Sequence, residues 1–314
     1  MANKVTFSSP TSDFTATLRK KVDEYFASNG GKHTGNVRVY LKTAILVLTG
    51  AAAYTLLIMG ITPIWLSIIL CVLLGIVLAG IGFNVMHEGA HGSYSPKQWI
   101  NEIMALSLNA MGGNSFLWKE KHNVNHHSYT NVEGHDEDID IRPWFRTNVN
   151  QPKRWFHRYQ YIYWALLYGF TYLIWVYSLD FKKYFTGKIT KDTRMKKMKL
   201  KDHFIFWISK LTYFFIFLVI PLICLGFVKT LVGYLITSFV CGWVISVVFQ
   251  LAHLVEDAAF PVPAEITKKI DHEWTIHQIV TTANFSTKSK FVSWFVGGLN
   301  FQIEHHLFPR TNHV

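Results

Sequence analysis

The sequence predicts an all-α integral membrane protein with four transmembrane helices, a cytoplasmic helical cap and one interfacial or re-entrant helix. Half of the 314 residues are hydrophobic and only 16% are charged, a composition unusual for a soluble domain of this length. The apolar residues also collect into long runs. The formal net charge of +11 is explained by basic cytoplasmic loops that face membrane lipids, so no nucleic-acid partner is expected.

Four apolar runs reach the roughly 20 residues that a transmembrane helix needs. They cover residues 41–59, 61–86, 204–227 and 231–251. The two connections within these pairs are short and nearly uncharged, as is typical of the translocated side of a membrane. Residues 1–40 form a polar N-terminal segment, and no linker or repeat divides the chain. We therefore expect one domain over residues 1–314.

A fifth apolar run, residues 161–179, decides the topology. Three basic residues precede it within residues 153–158, and nine follow it within residues 182–201. Because basic flanks stay in the cytoplasm, both ends of this run belong on the same side. We expect a helix that lies in the interface or re-enters the membrane, with both termini cytoplasmic, and we expect a bacterial plasma membrane.

Eight histidines fall into three short motifs and one isolated position, all on the predicted cytoplasmic side of the membrane. They are His87 and His91; His122, His126 and His127; His305 and His306; and the isolated His253. On an α-helix, His122 and His126 share a face while His127 lies about 100° around the axis, a wedge that can serve two metals. Eight imidazoles suit two first-row metal ions, although imidazole alone does not choose between iron, zinc, copper and nickel. The other seven histidines, His277 among them, fit no such spacing and are expected to be ordinary residues.

The three motifs resemble the histidine boxes of the membrane fatty acid desaturases in order and spacing. The most specific parts are residues 125–131, which read NHHSYTN, and residues 300–309, which read NFQIEHHLFP. Gln302, which opens the third motif, is similar to the front-end subgroup, whose members commonly act at the delta-5 or delta-6 position. The resemblance runs from about residue 40 to the end of the chain.

The resemblance implies a non-haem di-iron enzyme that uses O2 and two electrons to place a cis double bond in an acyl-CoA or acyl-lipid. It implies that the eight histidines bind two iron ions, with Gln302 a further candidate. Acids near the motifs are candidates to orient the ligands, and Asp138 is the first choice by the family pattern. The others are Glu88, Asp136, Asp140, Glu256, Asp257 and Glu304. Cations suggested for a substrate phosphate are Lys119, Lys121, Arg142 and Arg146.

Two departures from the family add expectations. The sequence has no His-Pro-Gly-Gly signature of a fused cytochrome b5, so we expect a separate electron donor of the ferredoxin or cytochrome b5 type. Family members also continue beyond the point where this chain ends, eight residues after His306, so we expect a truncated C-terminus.

Two other functions stay open at this point. A related di-iron membrane hydroxylase, or an oxidase of sphingolipids or carotenoids, would have the same fold and ligands. A non-enzymatic metal transporter is a more distant alternative. Transporters generally place their ligands within the spans or in low-complexity histidine loops, whereas these motifs lie at or beyond the span ends.

Overall fold

The structure is a computed structural model that describes residues 5–9, 13–191 and 193–314. It is mostly helical, as the sequence predicts. The α-helices are α1 (Phe14–Ser28), α2 (Val37–Met59), α3 (Ile64–Ile81), α4 (His87–His91), α5 (Gln98–Ala105), α6 (Ser107–Ala110), α7 (Ser115–Lys119), α8 (Gln160–Ile174), α9 (Asp180–Thr186), α10 (Leu200–Phe214), α11 (Ile220–Leu225), α12 (Phe227–His253), α13 (Trp274–Val280), α14 (Lys290–Phe295) and α15 (Gln302–Leu307). The two short strands are β1 (Thr6–Phe7) and β2 (Lys269–Ile270).

Turns of π-helix or 3-10 helix join or flank several of these helices. The π-helical turns are Gly82–Met86, Glu120–His126, Trp175–Leu179 and Phe215–Val219, and the 3-10 turns are Glu137–Ile139 and Trp155–Tyr159. With these turns included, five continuous helices are long and apolar enough to cross a membrane. They are Val37–Met59, Ile64–His91, Trp155–Thr186, Leu200–Leu225 and Phe227–His253.

Four of these helices correspond to the predicted spans, with ends that differ by a few residues. The fifth, Trp155–Thr186, contains the run 161–179 and extends into both of its basic flanks. By length and composition it also qualifies as a span. The structure therefore agrees with a helical membrane protein. The length and composition of the helices do not distinguish four crossings from five.

Small residues let the long helices approach closely around α12. A Cβ atom on Gly242 of α12 would lie 2.7 Å from the carbonyl oxygen of Gly169 in α8, and one on Gly75 of α3 would lie 2.6 Å from the carbonyl oxygen of Thr237. Close backbone approach of this kind is how helices gain packing energy inside a membrane. An apolar core cluster continues from the spans into the cap, from Ala53 to Trp118.

The cap gathers the segments between the spans on one side of the bundle. Strand β1 pairs in parallel with β2, which places the N-terminal segment against the segment that follows α12. Asn114 accepts a hydrogen bond from the backbone of Leu117 at 3.0 Å and so begins α7, and Gly92 ends α4 in the left-handed conformation. These boundaries position the helices that carry the histidine motifs.

Candidate metal centre

All eight histidines of the predicted set converge at the junction between the long helices and the cap. The first group is His87, His91, His122 and His305, and the second is His126, His253 and His306. Within each group the candidate ligand atoms lie within 4.8 Å of one another. Each group therefore draws on parts of the chain that are far apart in sequence.

His127 lies between the two groups. Its Nε2 is 3.3 Å from Nε2 of His122 in the first group. Its ring also stacks on that of His306 in the second group, with the centroids 4.3 Å apart. The arrangement thus offers two neighbouring sets of imidazoles joined by one shared neighbour.

The first motif has the predicted helical geometry. His87 and His91 begin and end α4, and their ring centroids are 4.6 Å apart. Gly89 lies between them on the side that faces α5, where a Cβ atom would come within 2.7 Å of the backbone nitrogen of Ala105. The pair is therefore held on a helix that packs tightly against the next element.

The α-helical geometry expected for the second motif was wrong. Residues Glu120–His126 form a π-helical turn, in which hydrogen bonds run from residue i to i+5. The backbone N–H of His127 accordingly donates to the carbonyl of His122 at 3.0 Å. This wider turn places His127 beside His122, whereas His126 belongs to the other group.

Several buried ring nitrogens in the two groups have no hydrogen-bond partner. They are Nε2 of His91, Nε2 of His126, Nδ1 of His253, Nε2 of His305 and Nε2 of His306, together with Nδ1 of the neighbouring His127. Buried polar atoms are nearly always paired, so a cluster of unpaired imidazole nitrogens needs an explanation. Metal ions would satisfy these nitrogens, and the residues present therefore fit the implied metals.

The electrostatics keep most of these rings neutral, which metal binding requires. Burial, helped by the neighbouring imidazoles, lowers the pKa of His122, His127 and His306 well below 6.5. Burial also lowers the pKa of His305 to about 3. His126 is the exception: burial opposes its charged form, but the nearby carboxylates, led by Asp136, outweigh that penalty and raise its pKa.

Asp136 is the acid that contacts a candidate ligand. It is 1% exposed and accepts a hydrogen bond from Nδ1 of His126 at 2.9 Å. Asp138, the first choice from the family pattern, lies 3.9 Å from the same nitrogen and forms an ion pair with Lys121. A carboxylate in the position of Asp136 fixes the tautomer and orientation of a metal-bound imidazole.

Gln278 is a comparable partner that sequence reasoning missed. Nδ1 of His306 lies 2.8 Å from Oε1 of Gln278, and the hydroxyl of Thr130 lies 2.9 Å from the same oxygen. Gln278 is fully buried on α13. It is remote in sequence from every histidine motif except the third, and no spacing signal would have identified it.

The other candidate acids do not contact these histidines. Glu88 instead binds the end of the chain, through Nδ2 of Asn312 and Nδ1 of His313, both at 2.8 Å. Glu304 accepts from Asn284, and Asp140 pairs with Arg142. Glu256 and Asp257 are exposed.

Gln302 reaches the second group directly. It is buried on α15, and its Nε2 lies 2.9 Å from Nε2 of His253. The side chain therefore occupies the edge of the second group rather than the first. A direct contact with a ring nitrogen is consistent with either a weak ligand or a hydrogen-bonding neighbour.

The four cations suggested for a substrate phosphate are all engaged by protein groups. Lys119 pairs with Glu102, Lys121 with Asp138, and Arg142 with both Asp140 and Glu133, while the Arg146 guanidinium donates to the backbone carbonyls of Val149 and Gln151. The contacts of these four side chains are therefore with other residues of the protein. His277 belongs to neither group, although it is fully buried, packs 5.0 Å from the ring of Phe7 and has two ring nitrogens without a hydrogen-bond partner. That it is an ordinary residue stays a prediction.

Comparisons with known proteins agree with this arrangement. The family model described as fatty acid desaturase matches residues 63–314. The chain is 35% identical to an sn-1 linoleoyl-lipid 6-desaturase of Arthrospira platensis, over 99% of this chain and 84% of that protein. It is 36% identical to a protein of the same description in Synechocystis, over 96% of this chain and 84% of the relative.

A moss protein gives a third comparison. The chain is 36% identical to an acyl-lipid (8-3)-desaturase of Physcomitrium patens, over 96% of this chain and 63% of that longer protein. The family match covers most of the chain, and both histidine groups lie inside it. On this evidence the chain belongs to the fatty acid desaturase family, and it is an oxidoreductase of lipid metabolism.

Proposed function

We propose that this protein is an O2-dependent front-end desaturase that inserts a cis double bond, at the delta-6 or delta-5 position, into an acyl chain carried on a lipid. The observation that carries the proposal is the convergence of eight histidines, seven of them in two adjacent groups of four and three and the eighth, His127, between the groups. The names of the relatives support the substrate class, since two act on a linoleoyl-lipid and one is an acyl-lipid desaturase.

We propose further that the metals are two iron ions. His87, His91, His122 and His305 would hold one, and His126, His253 and His306 the other, with His127 adjacent to both. Iron, when bound, supplies the oxidising power needed to break an unactivated C–H bond. The reaction balances when O2 takes four electrons, two from the acyl chain with two hydrogens and two from a donor with two protons, to give two molecules of water.

The chain's own residues would hold this centre rigid and dry. Asp136 keeps a hydrogen bond on Nδ1 of His126, and Gln278 does the same for His306, so that Nε2 of each ring is directed to the metal. Most ligand rings are more than 90% buried. Burial of this degree excludes bulk water from the reacting carbons.

A cavity between the long helices offers space for the acyl chain. Its volume is about 310 Å³, within the usual range for small-molecule sites. It extends from Leu78 and Tyr172, at the end nearer the cap, to Gly60 and Thr230 at the far end of the bundle. The lining is largely apolar, which suits the methyl-terminal half of an acyl chain whose carboxyl end lies near the cap.

The proposed activity can be tested in a host that lacks polyunsaturated lipids. The full chain is expressed, linoleate is supplied, and the fatty acids are analysed by gas chromatography. A new delta-6 or delta-5 double bond is the expected product, and His305→Ala should abolish it. A hydroxylated product would instead assign the protein to the neighbouring hydroxylase class, and a purified protein without iron would refute the di-iron centre.

We also propose four crossings, with Trp155–Thr186 interfacial or re-entrant and both termini and the metal centre on the cytoplasmic side. Two observations support this topology. The rings of His126 and His253 are 4.6 Å apart, so both histidines lie on the same side of the membrane. Leu200–Leu225 and Phe227–His253 together cross twice and return the chain to the side on which they began. If Trp155–Thr186 also crossed, His126 and His253 would lie on opposite sides. In addition, both parts of the disputed helix bind one short segment, through Lys183 to Glu137 at 2.9 Å and through Tyr163 to the carbonyl of Trp144 at 2.8 Å.

Cysteine labelling tests the topology. In a background with the three native cysteines replaced by serine, Lys153→Cys and Lys188→Cys mark the two flanks, and Thr62→Cys marks the opposite face. Both flank positions should react with a membrane-impermeant maleimide only when the cytoplasmic face is accessible. Labelling of the two flanks from opposite sides would establish a fifth crossing. Because the relatives include cyanobacterial proteins, we propose a bacterial plasma membrane as the location.

A further inference from the structure

The proposed reaction needs two electrons from outside the protein, and one surface of the cap is strongly basic. The segment of residues 187–199, which we name the basic segment, carries six cations against one acid. The cations are Lys188, Lys191, Arg194, Lys196, Lys197 and Lys199. Among the residues that the structure describes, five of these are exposed and have no carboxylate within ion-pair distance: Lys188, Lys191, Arg194, Lys197 and Lys199.

The described residues of the basic segment form a paired turn that contacts the cap. Its two arms pair through the hydrogen bonds of Ile189 to the Thr193 carbonyl at 2.9 Å and of Met195 to the Gly187 carbonyl at 3.1 Å. Ile189 is 5% exposed and anchors the turn. The exposed cations are therefore presented on an ordered scaffold.

The same segment binds the helical turn that carries the second histidine motif. The backbone N–H of Lys196 donates to Oε2 of Glu120 at 3.0 Å, and the Lys196 ammonium lies 3.5 Å from Oε1 of the same residue. Glu120 is buried and precedes His122 by two residues. One hydrogen bond therefore separates the main chain of the basic segment from the π-helical turn of the metal centre.

An aromatic ring continues this connection to the first histidine group. Trp118 stacks on His122 with the ring centroids 4.2 Å apart, and its edge faces His87 at 5.6 Å. Trp118 is itself 8% exposed. A redox protein bound to the basic segment would therefore lie on the part of the cap where Lys196 contacts Glu120, in the same turn as His122.

We propose that the basic segment is the docking surface for an acidic one-electron carrier protein, which delivers the two electrons in successive encounters and is oxidised in each. This inference rests on the proposed function. Unpaired cations on an ordered scaffold steer an acidic partner and fix its orientation. Anionic lipid headgroups are the competing partner, but the contact of Lys196 with Glu120 attaches the basic segment to the turn that carries the second histidine motif, which favours a redox protein.

The test compares two charge-reversed proteins, each iron-loaded and held in zwitterionic nanodiscs. Lys197→Glu/Lys199→Glu changes the basic segment, and Lys288→Glu/Lys290→Glu is the matched control, with the same spacing and charge change at the start of α14. The probe is a plant-type [2Fe–2S] ferredoxin. Its Kd, and the rate at which its reduced form reduces the iron, are measured over a range of salt concentrations, with dithionite reduction as a control.

We expect about tenfold weaker ferredoxin binding for Lys197→Glu/Lys199→Glu at low salt, with the difference shrinking as salt rises, and unchanged reduction by dithionite. Equal binding by both variants, or a loss confined to the control, would overturn the proposal. So would an effect seen only in nanodiscs of anionic lipid, which would assign the surface to the bilayer. Salt-sensitive ferredoxin binding without any double bond formed would support the docking surface and refute the proposed function instead.

Discussion

Substitution of Asp136 by asparagine tests how the second histidine group is oriented. Oδ2 of Asp136 accepts from Nδ1 of His126 and from the backbone of Asn131, and Oδ1 accepts from the backbone of Asp138, each at 2.9 Å. Asparagine has the same size but only one acceptor oxygen, so its NH2 group must face at least one of these donors. The substitution also removes the charge that His126 faces in a site 1% exposed.

Two estimates of the effect agree. A hydrogen bond to a charged group contributes about 1.5–3 kcal/mol, and the loss of a carboxylate partner of a metal-bound histidine lowers metal affinity roughly 10- to 100-fold. At about 1.4 kcal/mol per tenfold change, the second figure is about 1.4–2.8 kcal/mol. We therefore expect a 10- to 100-fold loss of affinity for the ion held by the second group.

The assay is anaerobic titration of the apoprotein with Fe(II) against a competing chelator. Asp138→Asn is the matched control, since Asp138 lies 3.9 Å from the same nitrogen and pairs with Lys121. It should lower iron affinity less than Asp136→Asn does. The orientation argument would be refuted by an Asp136→Asn protein that binds iron like the wild type, or by a larger effect of Asp138→Asn.

The pH dependence of the same titration gives a second test, because Asp136→Asn should lower iron affinity at high pH and also lower the pH at which that affinity is lost. In the apoprotein the carboxylates raise the pKa of His126 above 6.5 despite its burial, and the proton that must leave for metal to bind is the one on Nε2. Iron affinity should therefore begin to fall above pH 6.5 as the pH is lowered, by about tenfold per unit for this one proton. Because the asparagine no longer raises this pKa, Asp136→Asn should bind iron more weakly at high pH yet lose affinity only at a lower pH.

Three further substitutions probe the scaffold. Gly89→Ala should push α5 away from the first motif and destabilise the protein by about 1–3 kcal/mol, whereas Gly82→Ala, whose Cβ atom would meet nothing within 4 Å, should not shift the thermal midpoint in detergent. Lys210→Met leaves the buried Asp180, 3.0 Å away, without its partner and should cost about 3–5 kcal/mol of unfolding free energy; Asp180→Leu added to it should restore much of the loss. Gln278→Ala removes the hydrogen-bond acceptor of His306 and should lower iron affinity at least about tenfold at the second group alone. The iron content of each group, measured by Mössbauer spectroscopy, would show this loss. An equal loss at both groups would contradict the prediction.

The spans could be predicted from composition, but their ends could not. The predicted run 204–227 begins at Leu200 in the structure, with Lys201 and Asp202 already inside the helix. A span predicted from an apolar run ends at the first charged residue. The helix itself continues into the membrane interface, where long cationic side chains reach water. The same effect extends the run 161–179 to Trp155–Thr186, and it hides the difference between a re-entrant helix and a span.

That these eight histidines lie close together could also be predicted, but not which of them form each group. Each group combines residues from several motifs, so the division depends on tertiary structure. The π-helical turn at residues 120–126 adds a local cause. Its sequence contains no proline or glycine that would mark an irregular turn, so the 3.6-residue period assigned His126, rather than His127, to the face of His122.

The choice between Asp136 and Asp138 shows the same limit on a smaller scale. Asp136 precedes the 3-10 turn Glu137–Ile139, and Asp138 lies within it. Asp136 begins that turn by accepting a hydrogen bond from the backbone N–H of Asp138. With one oxygen committed to the turn, the other is held against His126, while Asp138 is carried onward to Lys121. The acid that orients the histidine is thus the one that also starts the turn. A family pattern identifies which acids are near the motif, but only the turn determines which of them contacts the ring.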